Sequence, residues 1–137
     1  EGRLCAHVLL VEDNMVNRLV ATAMLKSLGC TLDIATNGRE ALERMRATPH
    51  DAVLMDCQMP EMDGFEASRR WREHERAVGT LHLPIIAITA GALQFEREAC
   101  IASGMDDVLS KPFGRDALRA VLLRWLSPAA SPGGNIS

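Results

Sequence analysis

Short apolar runs of strand length alternate along the chain with stretches whose apolar residues recur at helical spacing. The predicted strands are 7–11, 31–35, 52–55, 84–89 and 107–110. Helices are predicted at 39–47, at 65–78 and at 93–103, the second of these unusually polar. Two further helices are amphipathic, one through Val16, Val20, Ala23 and Met24 and the last through Leu118, Val121, Leu122 and Trp125.

Strict alternation of strands and helices predicts a parallel sheet with right-handed crossover connections. Strands that are apolar on both faces require helices on both sides of the sheet. The predicted fold is therefore a doubly wound α/β sandwich with five βα repeats. In such a fold, ligands bind beyond the carboxyl ends of the strands, so the residues that end each strand are the candidate site.

Length and composition predict one globular domain. The chain has 137 residues, 47% of them hydrophobic, with a formal net charge of −3, a balance that argues against sequence-independent binding of nucleic acid. We expect a linker at 1–6, the folded domain at 7–126 and a flexible tail rich in Pro, Gly, Ser and Ala at 127–137.

Membrane contact and secretion are not indicated by the sequence. No apolar run approaches a membrane span, and the N-terminus does not resemble a signal peptide. The four cysteines show no metal-binding spacing, and neither do His7, His50, His74 and His82, which we expect mainly at the surface or at strand edges. A reducing cytoplasm fits best.

Polar residues follow four of the predicted strands. Strand one ends in Glu12-Asp13, strand three in Asp56, strand four in Thr89 and strand five in Ser110-Lys111-Pro112. Any one of them alone is better explained as a helix cap or a solvated loop residue. Together, three carboxylates about 4 Å apart would repel one another by about 4 kcal/mol per pair at an effective dielectric near 20, so a cation is expected among them.

An all-oxygen site of this kind suits Mg²⁺, particularly where the ion also contacts a phosphate. One carboxylate is then available as a nucleophile toward phosphorus. Asp56 is the candidate, because it ends a largely apolar strand in the middle of the chain order. Lys111 and the Thr89 hydroxyl can neutralise and position the phosphoryl group.

From about residue 6 to residue 125 the chain resembles the receiver domain of two-component response regulators. The segments that carry the resemblance are Val11-Glu12-Asp13-Asn14, the run from Met55 to Gly64, Ile88-Thr89-Ala90 and Ser110-Lys111-Pro112-Phe113. The resemblance implies a flavodoxin-like fold with strand order 2-1-3-4-5. It also implies a phosphoprotein of a two-component phosphorelay rather than an enzyme, with a histidine kinase or a histidine phosphotransfer protein as partner, and a monomer or weak dimer.

The same resemblance assigns roles to individual residues. Asp56 would be the phosphoacceptor and a metal ligand, Asp13 a direct Mg²⁺ ligand, Glu12 a water-mediated ligand and the Gln58 carbonyl another ligand. Thr89 and Lys111 would contact the phosphoryl oxygens, and a cis Lys111-Pro112 bond would direct the lysine into the site.

The asparagines that follow Asp13 and the segment around Asp56 look most like receivers of hybrid sensor histidine kinases. The chain would then be one cytoplasmic module of a larger protein that can itself be membrane-bound. It departs from many receivers at Val108, where an aromatic switch residue is common. A small aliphatic side chain there predicts a smaller conformational response, which is sufficient for a relay.

Two other functions fit the same residues less well. A degenerate receiver that binds a partner without phosphorylation usually lacks the acids or the lysine, and both are present here. A phosphatase of the haloacid dehalogenase type also uses an aspartate nucleophile with Mg²⁺, but it needs a second Asp two residues on, where this chain has Gln58.

Overall fold

The computed structural model describes residues 4–59, 61–90 and 94–130, in which five strands alternate with five helices. The elements are β1 His7–Val11, α1 Met15–Ser27, β2 Thr31–Ala35, α2 Gly38–Ala47, β3 Ala52–Asp56, α3 Gly64–Val78, β4 Ile85–Thr89, α4 Gln94–Ala102, β5 Asp107–Ser110 and α5 Arg115–Ala130. All four strand pairs are parallel and the sheet order is β2-β1-β3-β4-β5, which confirms the predicted fold.

The sheet is covered by helices on both faces, as its apolar strands require. On one face Leu10 and Leu54 belong to a buried cluster with Leu25 of α1 and Leu118 of α5. On the other face the strands pack in a second cluster with helices α2, α3 and α4. Strands β3 and β4 are buried along their whole length, so they form the middle of the core.

Three helices begin at a capping side chain that the hydrophobic pattern does not reveal. Asn14, Asn37 and Asp63 each accept a hydrogen bond from the backbone N–H three residues later, at 3.0, 2.9 and 3.0 Å. These caps satisfy N–H groups that have no partner within the helix. For that reason α2 and α3 each begin one residue earlier than predicted.

Other boundaries also differ by a few residues. Asp56 belongs to β3, β4 begins at Ile85 rather than Pro84, and α4 ends at Ala102, one residue earlier than predicted. The predicted start of α4 at residue 93 lies outside the described residues. Helix α5 continues to Ala130, so residues 127–130 of the segment predicted as a tail are helical. Residues 131–137 of that segment, and residues 1–3 of the predicted linker, lie outside the described residues.

Only part of the apolar stripe predicted on α1 faces the core, where Met24 packs against the first cluster. Val16 and Val20 are 66% and 50% exposed, whereas Ala21 and Leu25 are the buried residues of this helix. Periodicity shows that a helix has an apolar face, but not that the protein's own core covers it. The predicted helix is present, and its exposed residues leave an apolar surface on α1.

The polar helix α3 has a narrow buried face that includes charged side chains. Arg72 is held between Glu75, at 2.9 Å, and Asp106, at 2.8 Å, and it also donates to the Gly104 carbonyl. The indole N–H of Trp71 donates to Glu75 at 2.8 Å. Trp71 is thus a buried residue, and the network ties α3 to the loop between α4 and β5.

The described helices include none with the length and apolarity of a membrane span. The four cysteines are free thiols, and the sulfur atoms of Cys57 and Cys100 lie 3.7 Å apart in the core.

Candidate functional site at the carboxyl edge of the sheet

The predicted site residues converge on one cleft of about 240 Å³ beyond the carboxyl ends of β1, β3, β4 and β5. The residues lining it include Glu12, Asp13, Asp56, Gln58, Thr89 and Lys111. The cleft lies where the chain order of the sheet reverses, since β1 is flanked by β2 on one side and β3 on the other. Residues as far apart in sequence as 12 and 111 therefore meet in one place.

Three carboxylates form the acidic part of the cleft. Glu12, Asp13 and Asp56 each offer an oxygen within 4.8 Å of the others, so together they could hold a metal ion. Glu12 and Asp56 are buried, at 2% and 6% exposure, whereas Asp13 is exposed. An ion bound here would therefore have protein ligands on one side and water on the other, which is the arrangement Mg²⁺ prefers.

Lys111 supplies the positive charge on the opposite side of the cleft. Its Nζ atom lies 3.3 Å from Glu12 and 3.4 Å from Asp56. The backbone N–H of Lys111 donates to the Thr89 carbonyl at 2.7 Å, which fixes the lysine next to the end of β4. The Lys111-Pro112 peptide bond is cis, as expected.

The charges of the cleft shift the acid–base behaviour of its residues. Burial, with a smaller contribution from the neighbouring Glu12, raises the pKa of Asp56 to about 6 against the opposing effects of the Gln58 N–H and Lys111. Burial alone would lower the pKa of Lys111, but Asp56 and Glu12 outweigh it and raise that pKa. The cleft thus holds more negative charge than one lysine balances.

The backbone around Asp56 is positioned by a close approach of α3. A Cβ atom on Gly64 would lie 2.4 Å from the Asp56 carbonyl oxygen, so only glycine lets the helix begin this near to β3. The Gly64 N–H donates to the Cys57 carbonyl at 3.1 Å. The Gln58 N–H donates to Asp56 Oδ1, also at 3.1 Å, and orients the carboxylate.

One residue of the cleft was not found from the sequence. Glu96 of α4 lines the cleft, and its Oε1 atom is buried with no hydrogen-bond partner among the described residues. Nothing in the local sequence distinguishes it from an ordinary acid in the first turn of a helix. Pro60, in the segment that follows Asp56, lies outside the described residues.

Two of the four histidines, His7 at the start of β1 and the buried His50, share a carboxylate partner. His7 and His50 both contact Asp33, at 3.0 and 2.9 Å, although 43 residues separate them. The side chain of His50 is completely buried. Chain spacing did not reveal this cluster because its members come from β1, β2 and the segment that precedes β3.

Solved structures with the same arrangement of strands were found by comparison. The chain matches the receiver domain of the sensor histidine kinase PA1611 from Pseudomonas aeruginosa at 44% identity and a TM-score of 0.81, over 90% of this chain and 98% of that one. That structure has a magnesium ion coordinated in its active-site cleft. The chain also matches the co-crystal structure of the Saccharomyces cerevisiae phosphotransfer protein Ypd1 with the Ssk1 receiver domain, at 28% identity and a TM-score of 0.89, over 93% and 92% of the two chains.

Sequence comparison leads to the same class of protein. The chain is 40% identical over 140 residues to Histidine kinase 2 of Arabidopsis thaliana, covering 88% of this chain but 12% of that protein. The family model of the response regulator receiver domain matches residues 8–123. The fold and the acidic cleft define a phosphorelay signalling module. The chain belongs to the response regulator receiver domain family.

Proposed function

We propose that Asp56 accepts a phosphoryl group from a phosphohistidine with Mg²⁺ bound beside it. The observation that carries this proposal is the convergence of Asp56 with Glu12, Asp13 and Lys111 at one sheet edge. Asp13 and Asp56 would hold the ion directly, Glu12 through water, and the Gln58 carbonyl would complete the protein ligands. The ion would neutralise the acids and the transferred phosphoryl oxygens.

The chain's own residues then account for the transfer. An Asp56 carboxylate oxygen attacks phosphorus, the bond from phosphorus to the donor imidazole nitrogen breaks, and that nitrogen retains the electron pair. Lys111, already 3.4 Å from Asp56, and Thr89, buried at the end of β4, would contact the phosphoryl oxygens. Little more is needed, because phosphoryl transfer depends mainly on position and charge neutralisation.

The partner we propose is a histidine phosphotransfer protein that docks on the exposed apolar face of α1. This face consists of Met15, Val16, Leu19 and Val20, exposed by 64%, 66%, 64% and 50%. Asn14 and Asn17, at the start of the same helix, line the cleft. A helix bundle seated on this face would bring its phosphohistidine to Asp56, and contiguous exposed apolar residues of this kind mark interaction surfaces.

The larger protein we propose is a hybrid histidine kinase with this receiver in the cytoplasm. The chain spans 12% of Histidine kinase 2, and the PA1611 receiver is likewise part of a sensor histidine kinase. Any kinase activity would belong to other parts of that protein. Val108, which packs partly buried beside the second core cluster, suits a relay that passes the phosphoryl group on with little conformational change.

The decisive experiment is incubation with acetyl phosphate, with and without Mg²⁺, followed by intact mass measurement. We expect a gain of one phosphoryl group that requires Mg²⁺, is absent in Asp56→Asn and is retained in Asp116→Asn, an exposed acid in the first turn of α5. An adduct on Asp56→Asn would contradict the assignment, and an unmodified wild-type protein would favour a degenerate binding module. Steady hydrolysis of p-nitrophenyl phosphate would instead favour a phosphatase.

A further inference from the structure

A second group of potential metal ligands lies away from the acidic cleft, near the amino ends of β1 and β3. Asp33 Oδ2 is 3.0 Å from His7 Nε2 and 2.9 Å from His50 Nε2. His7 begins β1, Asp33 lies on β2, and His50 precedes β3. The three side chains thus bring two ring nitrogens to a single carboxylate oxygen.

We propose that His7, Asp33 and His50 form a binding site for a divalent transition-metal ion, with Zn²⁺ as the best match. Two imidazole nitrogens and one carboxylate oxygen, with a fourth position open to water, are a common zinc ligand set. The acidic cleft offers only oxygen ligands, which suit Mg²⁺. The two sites should therefore select different ions.

The distances suit this ion with little rearrangement. Ligand atoms bound to Zn²⁺ at about 2.0–2.1 Å in a tetrahedral arrangement lie roughly 3.3–3.4 Å from one another. The nitrogen-to-oxygen distances in the cluster are 2.9 and 3.0 Å, and all three ligand atoms lie within 4.8 Å of one another. The side chains of His7 and Asp33 are each 33% exposed, which provides an entry path and room for a water ligand.

The surroundings hold the ligands in place. His7 Nδ1 lies 2.7 Å from the Thr31 hydroxyl, which can accept a hydrogen bond from the Nδ1–H group when Nε2 binds a metal. The backbone N–H of His7 donates to Asp51 at 2.8 Å, so that carboxylate has a structural partner of its own. The rings of His7 and His50 stack nearly parallel, with centroids 5.0 Å apart.

His50 presents a buried ring to the cluster through its Nε2 atom. Its side chain is completely buried, and its Nδ1 atom has no hydrogen-bond partner among the described residues. A buried ring with one unsatisfied nitrogen is costly to keep for structure alone. Coordination would use Nε2, the nitrogen that faces Asp33, and would leave the ring proton on the unpaired Nδ1, so the metal bond has to outweigh that cost.

The experiment uses the whole chain, freed of metal with a chelator. The acidic cleft is disabled by Asp13→Asn with Asp56→Asn, and this protein is titrated with Zn²⁺ by calorimetry and with Co²⁺ by visible spectroscopy. We expect one ion per chain, with Co²⁺ bands that lack a sulfur charge-transfer contribution. Adding His7→Gln or Asp33→Asn should weaken binding at least about tenfold, because loss of even a group that only orients a ligand has an effect of that size.

A matched control and a second measurement keep the result interpretable. His74→Gln, in which the lost ring packs on Trp71 outside the cluster, should bind Zn²⁺ like the parent protein. If the cluster variants fold poorly, imidazole NMR signals of His7 and His50 should shift when Zn²⁺ is added to the unsubstituted chain. Zn²⁺ binding that persists in folded His7→Gln and Asp33→Asn proteins, or no Zn²⁺ bound outside the acidic cleft, would overturn the proposal.

Discussion

Lys111 Nζ lies 3.4 Å from Asp56 Oδ2, although 55 residues separate the two along the chain. The same ammonium group is 3.3 Å from Glu12. One ammonium group is therefore the counter-charge of two buried carboxylates, and the exposed Asp13 adds a third negative group. This imbalance is the physical basis of the predictions that concern the cleft.

Replacing Lys111 by Met should abolish phosphoryl transfer and destabilise the metal-free protein by about 1–3 kcal/mol. The buried acids lose their counter-charge, while the partial exposure of Lys111 keeps the effect below that of a fully buried pair. Urea unfolding with and without Mg²⁺ measures this, and Mg²⁺ should restore part of the loss. Lys26→Met is the matched control, since the other lysine of the chain is exposed on α1. Equal effects of both variants would contradict the interpretation.

The raised pKa of Asp56 predicts how stability depends on pH without metal. Because the folded carboxyl has a pKa of about 6 instead of its usual 3.8, the folded state binds the proton more tightly than the unfolded state. Stability should therefore fall as pH rises from about 3.8 to about 6, and the whole cost is present above that range. Mg²⁺ competes with the proton, so its affinity should rise with pH over the same interval.

Asp56→Asn tests this linkage directly. Removing the buried charge should stabilise the metal-free protein on the order of 1–2 kcal/mol at neutral pH, a value reduced to allow for screening by Lys111 and solvent. The gain should vanish as the pH approaches 3.8, where the wild-type carboxyl is also neutral. Chemical denaturation at several pH values measures both. A gain in stability that is independent of pH would show that ionisation of Asp56 does not destabilise the folded state.

The exposed face of α1 predicts how the partner is recognised. Val16→Glu and Leu19→Glu should slow transfer from a phosphorylated histidine phosphotransfer protein roughly tenfold, because a charge would have to be desolvated in an apolar contact. Phosphorylation by acetyl phosphate should be unchanged. Leu81→Glu, at a residue 91% exposed elsewhere on the protein, is the control. Unaltered transfer in both α1 variants would place the docking surface elsewhere.

The approach of α3 to β3 predicts a steric effect at Gly64. Gly64→Ala should destabilise the protein by about 1–3 kcal/mol, because the new methyl group would lie 2.4 Å from the Asp56 carbonyl oxygen. It should also slow phosphorylation, since the same backbone carries the acceptor. Gly114→Ala has open space around the added carbon and should cost less than about 1 kcal/mol. Thermal or urea unfolding compares the two, and similar losses would contradict the packing argument.

Two arginines on α3 should differ strongly in how much each stabilises the fold. Arg72→Met should destabilise the protein by about 3–5 kcal/mol, because Glu75 and Asp106 would lose their buried partner. Arg70→Met removes only an exposed pair with Glu66 and should cost less than about 0.5 kcal/mol. Urea unfolding of the two variants measures the difference. Comparable stabilities would show that the buried network contributes little.

The architecture follows from the sequence, because alternating strands and helices with apolar strands allow few parallel arrangements. The sequence also identified the strand-end residues Glu12, Asp56 and Lys111, since the rule that ligands bind at carboxyl ends needs only the order of elements. The predicted starts of α2 and α3, which follow the caps Asn37 and Asp63, were one residue too late. Hydrophobic periodicity contains no information on polar capping side chains.

Which residues from different elements meet, and which apolar faces stay uncovered, depends on how the elements pack in three dimensions. The exposure of Val16 on α1, the partners of Arg72 and the cluster of His7 with Asp33 and His50 all depend on packing between segments distant in the chain. Periodicity reports the polarity of a face within one element, whereas burial and contact depend on what lies against that face. That is why the sheet and its cleft were predictable, while these surfaces and clusters were not.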